Sequence, residues 1–193
     1  MKETEEQYKM VIFTAPSGSG KTTLVRHLLQ VFDQLSFSIS ATSREKRSYE
    51  VEGSDYYFLG LERFLSKIKT EAFAEWEEVY NNQYYGTLKS EIKRIWDEEK
   101  HIIFDIDVQG AQRLKKTYGD KALTVFVMPP SKEILFQRLV DRNTESEESL
   151  KKRIDKADHE LSFADQFDVI LVNDDLKIAK QEAENIVKEY LAQ

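Results

Sequence analysis

The sequence predicts an α/β fold, a parallel sheet flanked by helices, on three observations. Short continuous apolar runs of the kind found in strands covered on both faces recur along the chain. Stretches with apolar residues at helical spacing alternate with them. A turn rich in glycine and serine, Ala15-Pro-Ser-Gly-Ser-Gly-Lys-Thr-Thr23, joins the first run to the first helical stretch.

Taken in order, Met10–Thr14 is a strand of buried type, and the turn after it has the composition of a phosphate-binding loop. In such a loop small residues let several backbone N–H groups converge on one anion, a lysine adds a point charge, and a hydroxyl ligates magnesium. Gly18, Gly20, Lys21 and Thr22 stand in that order. The general pattern G-x-x-x-x-G-K-[ST] begins with glycine where this chain has Ala15, a change that leaves the later glycines of the cradle in place. A helix beginning near Lys21, with Leu24, Val25, Leu28, Leu29 and Phe32 at helical spacing, points its positive end at the same anion. A plain Gly/Ser turn between strand and helix is the other reading of these residues. The loop implies a nucleoside triphosphate and leaves the reaction open.

Further strands are expected at 36–40, 102–105, 123–127 and 169–172. Helices are expected at 88–100, with Leu88, Ile92, Ile95 and Trp96 on one face, and at 176–191, with Ala179, Ala183, Ile186, Val187 and Tyr190 on one face. Two regions break the alternation. Residues 37–86 are rich in tyrosine and charge, with strand-like pieces at 56–58 and 73–79, and read as a small inserted α+β lobe. The segment from Ser131 to about Lys156 follows Pro129-Pro130, is strongly charged and has few apolar anchors, which suggests a mobile helical lid. The expected organisation is one domain overall: a core of 1–35, 88–130 and 157–193, a lobe of 36–87, and a lid of 131–156.

Composition narrows the function classes. A net charge of −7 argues against a surface that coats nucleic acid, because such binding rests on neutralising many phosphates. No apolar run approaches the roughly 18 residues of a membrane span, and the polar, acidic segment from Met1 to Lys9 lacks the order of a secretory signal. The chain has no cysteine, which fits a reducing compartment, and a cytoplasmic location is expected. His27, His101 and His159 are widely separated and match no metal-ligand spacing.

Within this acidic chain Arg44 and Arg47 form a local basic cluster, followed by Glu50, Tyr56 and Tyr57. The cluster suits a second phosphate, although a solvated charged loop fits it as well. Asp105 and Asp107 close a strand of buried type, and their i, i+2 spacing places both on one side of the sheet edge beside the phosphate loop. Carboxylates there can hold magnesium through water; capping the next turn is the alternative.

Several ordered segments resemble the guanylate kinase family across nearly the whole chain. They are residues 15–23, Ser43-Arg-Glu-Lys-Arg-Ser-Tyr-Glu-Val-Glu-Gly-Ser-Asp-Tyr56, Phe73-Ala-Glu-Trp76, Tyr84-Tyr-Gly86, Asp105-Ile-Asp-Val-Gln-Gly110 and Val172-Asn-Asp-Asp175. Departures sit at Lys46, where the family usually has proline, at Tyr49 and Asn143, where it usually has glycine, and at Ala15. The resemblance implies a three-layer core carrying a phosphate loop, a nucleoside monophosphate-binding lobe and a lid. It implies transfer of the γ-phosphoryl of ATP to GMP with Mg²⁺, in purine nucleotide metabolism, with dGMP as a possible second acceptor. The protein would be a monomer or homodimer.

By the same resemblance, Ser17, Gly18, Ser19, Gly20, Lys21, Thr22 and Thr23 would bind ATP, with Arg138 near the adenine and Asn173 in the same site. Arg44, Arg47, Tyr56 and Tyr85 would hold the GMP phosphate; Glu50, Asp105 and Asp107 would belong to the GMP site. Glu75 would read the base, because a carboxylate accepts from guanine N1–H and the 2-amino group together, while Ser40 and Thr87 would donate to O6. Thr22 and Asp105 would hold Mg²⁺, and Lys21, Arg44 and the lid residues Arg142 and Arg153 would be catalytic. Two other classes stay open: a non-catalytic interaction module of the same fold, and a related sugar-phosphate kinase.

Overall fold

Strand β1 (Met10–Thr14) is buried along its entire length, and its alternating side chains feed two separate cores. The computed structural model describes residues 7–141 and 147–193. After β1 come α1 (Lys21–Val31), β2 (Leu35–Phe37), β3 (Ala41–Thr42), β4 (Tyr57–Phe58), α2 (Gly60–Lys69), β5 (Phe73–Tyr80), β6 (Gln83–Leu88) and α3 (Lys89–Asp97). They are followed by β7 (His101–Asp105), α4 (Val108–Tyr118), β8 (Ala122–Met128), α5 (Lys132–Asp141), α6 (Glu147–Leu161), β9 (Val169–Val172) and α7 (Leu176–Leu191).

The main sheet has five parallel strands in the order β2-β7-β1-β8-β9. Val11 and Phe13 pack on one face with Leu24, Val25 and Leu28 of α1 and Ala179, Ala183 and Val187 of α7. Met10 and Ile12 pack on the other with Ile92 and Ile95 of α3 and Val108, Ala111 and Leu114 of α4. Period-2 alternation through a strand covered on both sides thus yields three layers.

The segment between β2 and β7 builds a second sheet in the order β4-β3-β6-β5, with its own small core of Ala41, Phe64, Phe73 and Leu88. This is the inserted α+β lobe. The strand expected at 36–40 is shorter: pairing covers Leu35–Phe37, the Ser38 amide still donates to Ile103 O at 3.0 Å, and the chain then leaves for the lobe. The helix expected at 88–100 spans Lys89–Asp97.

The expectation of few apolar anchors in the 131–156 segment needs correction. Leu135, Leu139 and Ala157 are buried together, with Phe136, Ile154 and Leu161 against them. These residues lie on facing stripes of α5 and α6, which the high charge of the segment conceals from a reading by composition. Helix α6 also runs without a break through residue 156. A methyl group added at Gly18 would lie 3.3 Å from Leu135 Cδ1, so α5 rests directly on the loop after β1. No helix among the described residues is long and apolar enough to cross a membrane.

Candidate active site

The loop between β1 and α1 lies at the carboxyl ends of the central strands, where strands β7 and β8 flank β1 and the connections diverge. Gly20 caps α1 with φ 90°, a conformation that costs an L side chain energy. A Cβ there would also lie 2.2 Å from Asn173 Nδ2. Ala15 is buried in the core, and among the described residues the positive-φ non-glycine positions are Glu71, Asn82 and Glu99, so alanine at this position meets no backbone penalty. Lys21 Nζ donates to Ile106 O at 2.8 Å and pairs with the Asp105 carboxylate. The Thr22 hydroxyl donates to Asp105 Oδ2 at 2.5 Å. Register places Asp105 beside Phe13, so the carboxylate is delivered by the strand adjacent to the loop.

A cavity of about 820 Å³ opens in front of the loop and extends to the lobe. Ser17, Gly18, Gly20, Lys21, Thr22 and Thr23 form one wall. Ser40, Arg47, Tyr56, Glu75 and Tyr85 line the lobe side; Asp105, Asp107 and, from α6, Arg153 complete it. Arg153 Nη2 donates to Ser17 Oγ at 2.9 Å, which sets the lid helix against the loop.

Glu75 is 7% exposed, and its Oε1 accepts from the Thr87 hydroxyl at 2.7 Å. Burial pushes its carboxyl up to about 7; the Thr87 bond opposes the shift and the Asp107 charge adds to it. On its other side a Cβ at Gly110 would lie 2.9 Å from Glu75 Oε2, so α4 approaches this carboxylate as only glycine allows. Asp107 lies beyond the end of β7 and caps α4, accepting from the Gly110 amide at 2.8 Å. The capping alternative therefore describes its local bond, while its side chain still lines the cavity.

Other expected residues stand behind the walls. Arg44 forks onto Glu50 at 2.7 and 2.5 Å, donates from Nε to the Tyr85 hydroxyl at 3.1 Å and lies 5.1 Å from the centre of the Tyr56 ring. The Arg44 guanidinium holds the Glu50 carboxyl down at about 2, and Glu50 also accepts from the Arg47 amide. Neither Arg44 nor Glu50 lines the cavity, and Thr87 reaches it only through Glu75. Ser19 is buried, with a hydroxyl that has no hydrogen-bond partner among the described residues. Asn173 braces the loop from the β9 side: Nδ2 donates to Ser19 O at 2.7 Å and its own amide donates to Met128 O at 2.8 Å. Arg138 is on α5 away from the cavity wall. Arg142 and Asn143 lie outside the described residues.

Several wall residues went unmarked in the sequence, among them two on the lid helix. Lys156 and Glu160 follow Arg153 at i+3 and i+7 on α6 and line the cavity with it, a spacing that was available once Arg153 had been placed on a helix. Burial pushes the Glu160 carboxyl up, against the pull of Lys156. Tyr80 and Gln83, flanking the turn between β5 and β6, also line the cavity, with Lys156 Nζ 5.8 Å from the centre of the Tyr80 ring.

The family model for guanylate kinase matches residues 7–190. The chain belongs to the guanylate kinase family. The guanylate kinase of Porphyromonas gingivalis is 49% identical over 185 residues, covering 95% of this chain and 98% of that protein. That of Bacteroides thetaiotaomicron is 48% identical over 183 residues, covering 95% and 90%. Among solved structures, the guanylate kinase from Anaplasma phagocytophilum superposes with a TM-score of 0.75 at 25% identity, covering 96% of this chain and 87% of that one. The two departures from the usual guanylate kinase pattern within the Arg44–Glu50 loop both make bonds there. Lys46 Nζ donates to Glu50 O at 2.8 Å, and Arg47 Nη1 donates to the Tyr49 hydroxyl at 2.9 Å.

Proposed function

We infer that the protein transfers the γ-phosphoryl group of ATP to GMP, giving ADP and GDP. The observation that carries this reading is a single cavity with a phosphate loop on one wall and the buried Glu75 on the other. The loop takes the donor, with Lys21 and the backbone amides on its phosphates. Glu75 takes the acceptor base. Adenine offers an acceptor at N1 and nothing at C2, so it would leave the buried carboxylate with only its Thr87 bond, at a cost of about 1–3 kcal/mol or more.

The attacking group is a phosphate oxygen of GMP, already anionic near neutral pH because the second pKa of a phosphate monoester is about 6. No general base is needed. The work of the protein is to align two polyanions and neutralise charge on the transferred group. Arg47, with Tyr56 and Tyr85, meets the GMP phosphate; Arg44, held by Glu50, supports that phosphate from behind through its bond to the Tyr85 hydroxyl and its charge beside the Tyr56 ring. Arg153, with Lys156 beside it, closes over the donor phosphates and excludes water. Asn173 acts by bracing the loop, and Arg138 and Arg142 remain assigned to the lid.

The hard oxygen donors of Thr22 and Asp105, 2.5 Å apart, suit Mg²⁺, which takes one or two protein oxygens and keeps water and phosphate for the rest. When bound there it would screen the donor phosphates and stabilise the charge that develops between them.

An interaction module has no use for a loop in which Gly20, Lys21 and Thr22 are all in place, and a sugar-phosphate kinase has no use for Glu75 paired with Thr87. The test is coupled ADP release from Mg-ATP with GMP, dGMP, AMP, CMP, UMP and ribose phosphates. Activity confined to guanine monophosphates is expected, and the dGMP arm reports on the ribose. Equal rates with AMP or a sugar phosphate would overturn the reading. A cytoplasmic location accords with this metabolism and is checked by fractionation.

A further inference from the structure

Glu91 is a charged side chain on a core helix, α3, yet it is 2% exposed. Its Oε1 accepts from the Ile39 amide at 3.0 Å and from Arg94 Nη2 at 2.7 Å. Its Oε2 accepts from the Tyr57 hydroxyl at 2.9 Å and from Arg94 Nε at 3.0 Å. Burial pushes this carboxyl up, but Arg94, the Ile39 amide and the Tyr57 hydroxyl overcome that effect and hold it below the ordinary range. Helix interiors do not require such an arrangement. An apolar residue would fill the same space without desolvating an ion pair.

What the carboxylate touches explains its presence. Residue 39 is the pivot between core and lobe: the Ser38 amide still bonds to Ile103 of β7, whereas the Ser40 carbonyl already accepts from the Tyr57 amide of β4 at 2.9 Å. The residues that follow and precede the two groups held by Glu91 are Ser40 and Tyr56, and both line the cavity on the acceptor side. One buried carboxylate therefore fixes two segments whose next residues face the acceptor.

We propose that Glu91 is a positioning residue for acceptor recognition, orienting Ser40 and Tyr56 from the core by holding the Ile39 amide and the Tyr57 hydroxyl. The proposal rests on the reading of this cavity as a GMP site. It makes the lobe's entry point rigid with respect to α3 and to the sheet, and it predicts that loss of Glu91 is felt by GMP and not by ATP. The phosphate loop touches none of these groups: it is braced instead by Asn173 and Asp105.

The experiment compares the parent enzyme with Glu91→Ala, Glu91→Gln and Tyr57→Phe in steady-state kinetics with each substrate varied in turn, alongside thermal melts. Glu91→Ala should raise KM for GMP by about tenfold, as expected for losing charge-assisted bonds, with KM for ATP within about twofold of the parent. Tyr57→Phe, which removes a single bond and leaves Arg94 paired, should raise KM for GMP by roughly threefold. Arg94 also pairs with Glu98 at 2.7 Å, a partner none of these substitutions removes. A proportional rise of both KM values, or unchanged KM for GMP in Tyr57→Phe together with Glu91→Gln, would overturn the proposal and leave Glu91 as a stability device. Failure of the parent enzyme to release ADP with GMP would instead remove the reading on which the proposal rests.

Discussion

If Glu75 reads the base as proposed, it is under opposed demands: burial favours the neutral acid, whereas two guanine N–H donors would call for the carboxylate. Its carboxyl sits at about 7 against an ordinary value of 4.5, so in the free protein it is largely protonated below that pH. GMP affinity should therefore fall toward tenfold per unit as pH drops below about 7, since a bound proton must be displaced. The GMP phosphate titrates nearby, and Glu77 is likewise pushed up to about 7 by burial and the Asp107 charge. Comparison with Glu75→Gln cancels both, and a pH profile identical in the two proteins would count against Glu75. For stability the sign is reversed. The folded state holds this proton more tightly than the unfolded chain, so the residue's contribution declines as pH rises from 4.5 to about 7. Glu75→Gln should consequently raise the urea midpoint at pH 8 while abolishing the preference for GMP over AMP. On the proposed function, Arg153, bonded to Ser17 beside the phosphate loop, would act in the transition state rather than in acceptor binding. Arg153→Ala should lower kcat on the order of 10³-fold with little change in GMP affinity, and a loss below tenfold would remove it from catalysis.

Helix α4 shows how an element serves the site by its backbone. Asp107 caps it, Gly110 stands against Glu75, and buried Val108, Ala111 and Leu114 fasten it to the sheet. Gly110→Ala places a methyl 2.9 Å from Glu75 Oε2. Either the helix or the carboxylate must move, and KM for GMP should rise about tenfold, on the scale of one lost hydrogen bond to a charged group, with KM for ATP unchanged. Equal KM values in variant and parent would show that Glu75 has room to shift. The motif Asp105-Ile-Asp-Val-Gln-Gly110 was visible in the sequence, but the purpose of its glycine was not, because the group it must avoid lies on β5. The lid helices failed a reading by composition for a related reason. Leu135 and Leu139 lie four apart in a segment of high overall charge, and their partners Ile154, Ala157 and Leu161 are supplied by the next helix.

In the whole molecule the two apolar clusters on either face of the central sheet form the main core, and the lobe has a small core of its own. Phe126 is fully buried, with its ring centre 5.3 Å from that of Phe167, on the sheet face covered by α3 and α4. Phe126→Ala should cost about 3–5 kcal/mol in urea unfolding, with both KM values held within about twofold below the melting range. A specific loss of GMP binding would show that core and lobe are more tightly coupled than their separate apolar clusters indicate. By itself the sequence determined the strand and helix types, the phosphate loop and the family resemblance, because periodicity, glycine placement and short motifs are local and survive in one dimension. Only the tertiary structure decided which residues meet. It set Arg44 and Glu50 behind the wall, turned Asn173 into a brace, and brought Lys156 and Glu160 to the cavity. It also hid Glu91 under the junction of core and lobe. The physical reason is that a buried polar group is defined by its partners, and those partners arrive from strands and helices tens of residues away.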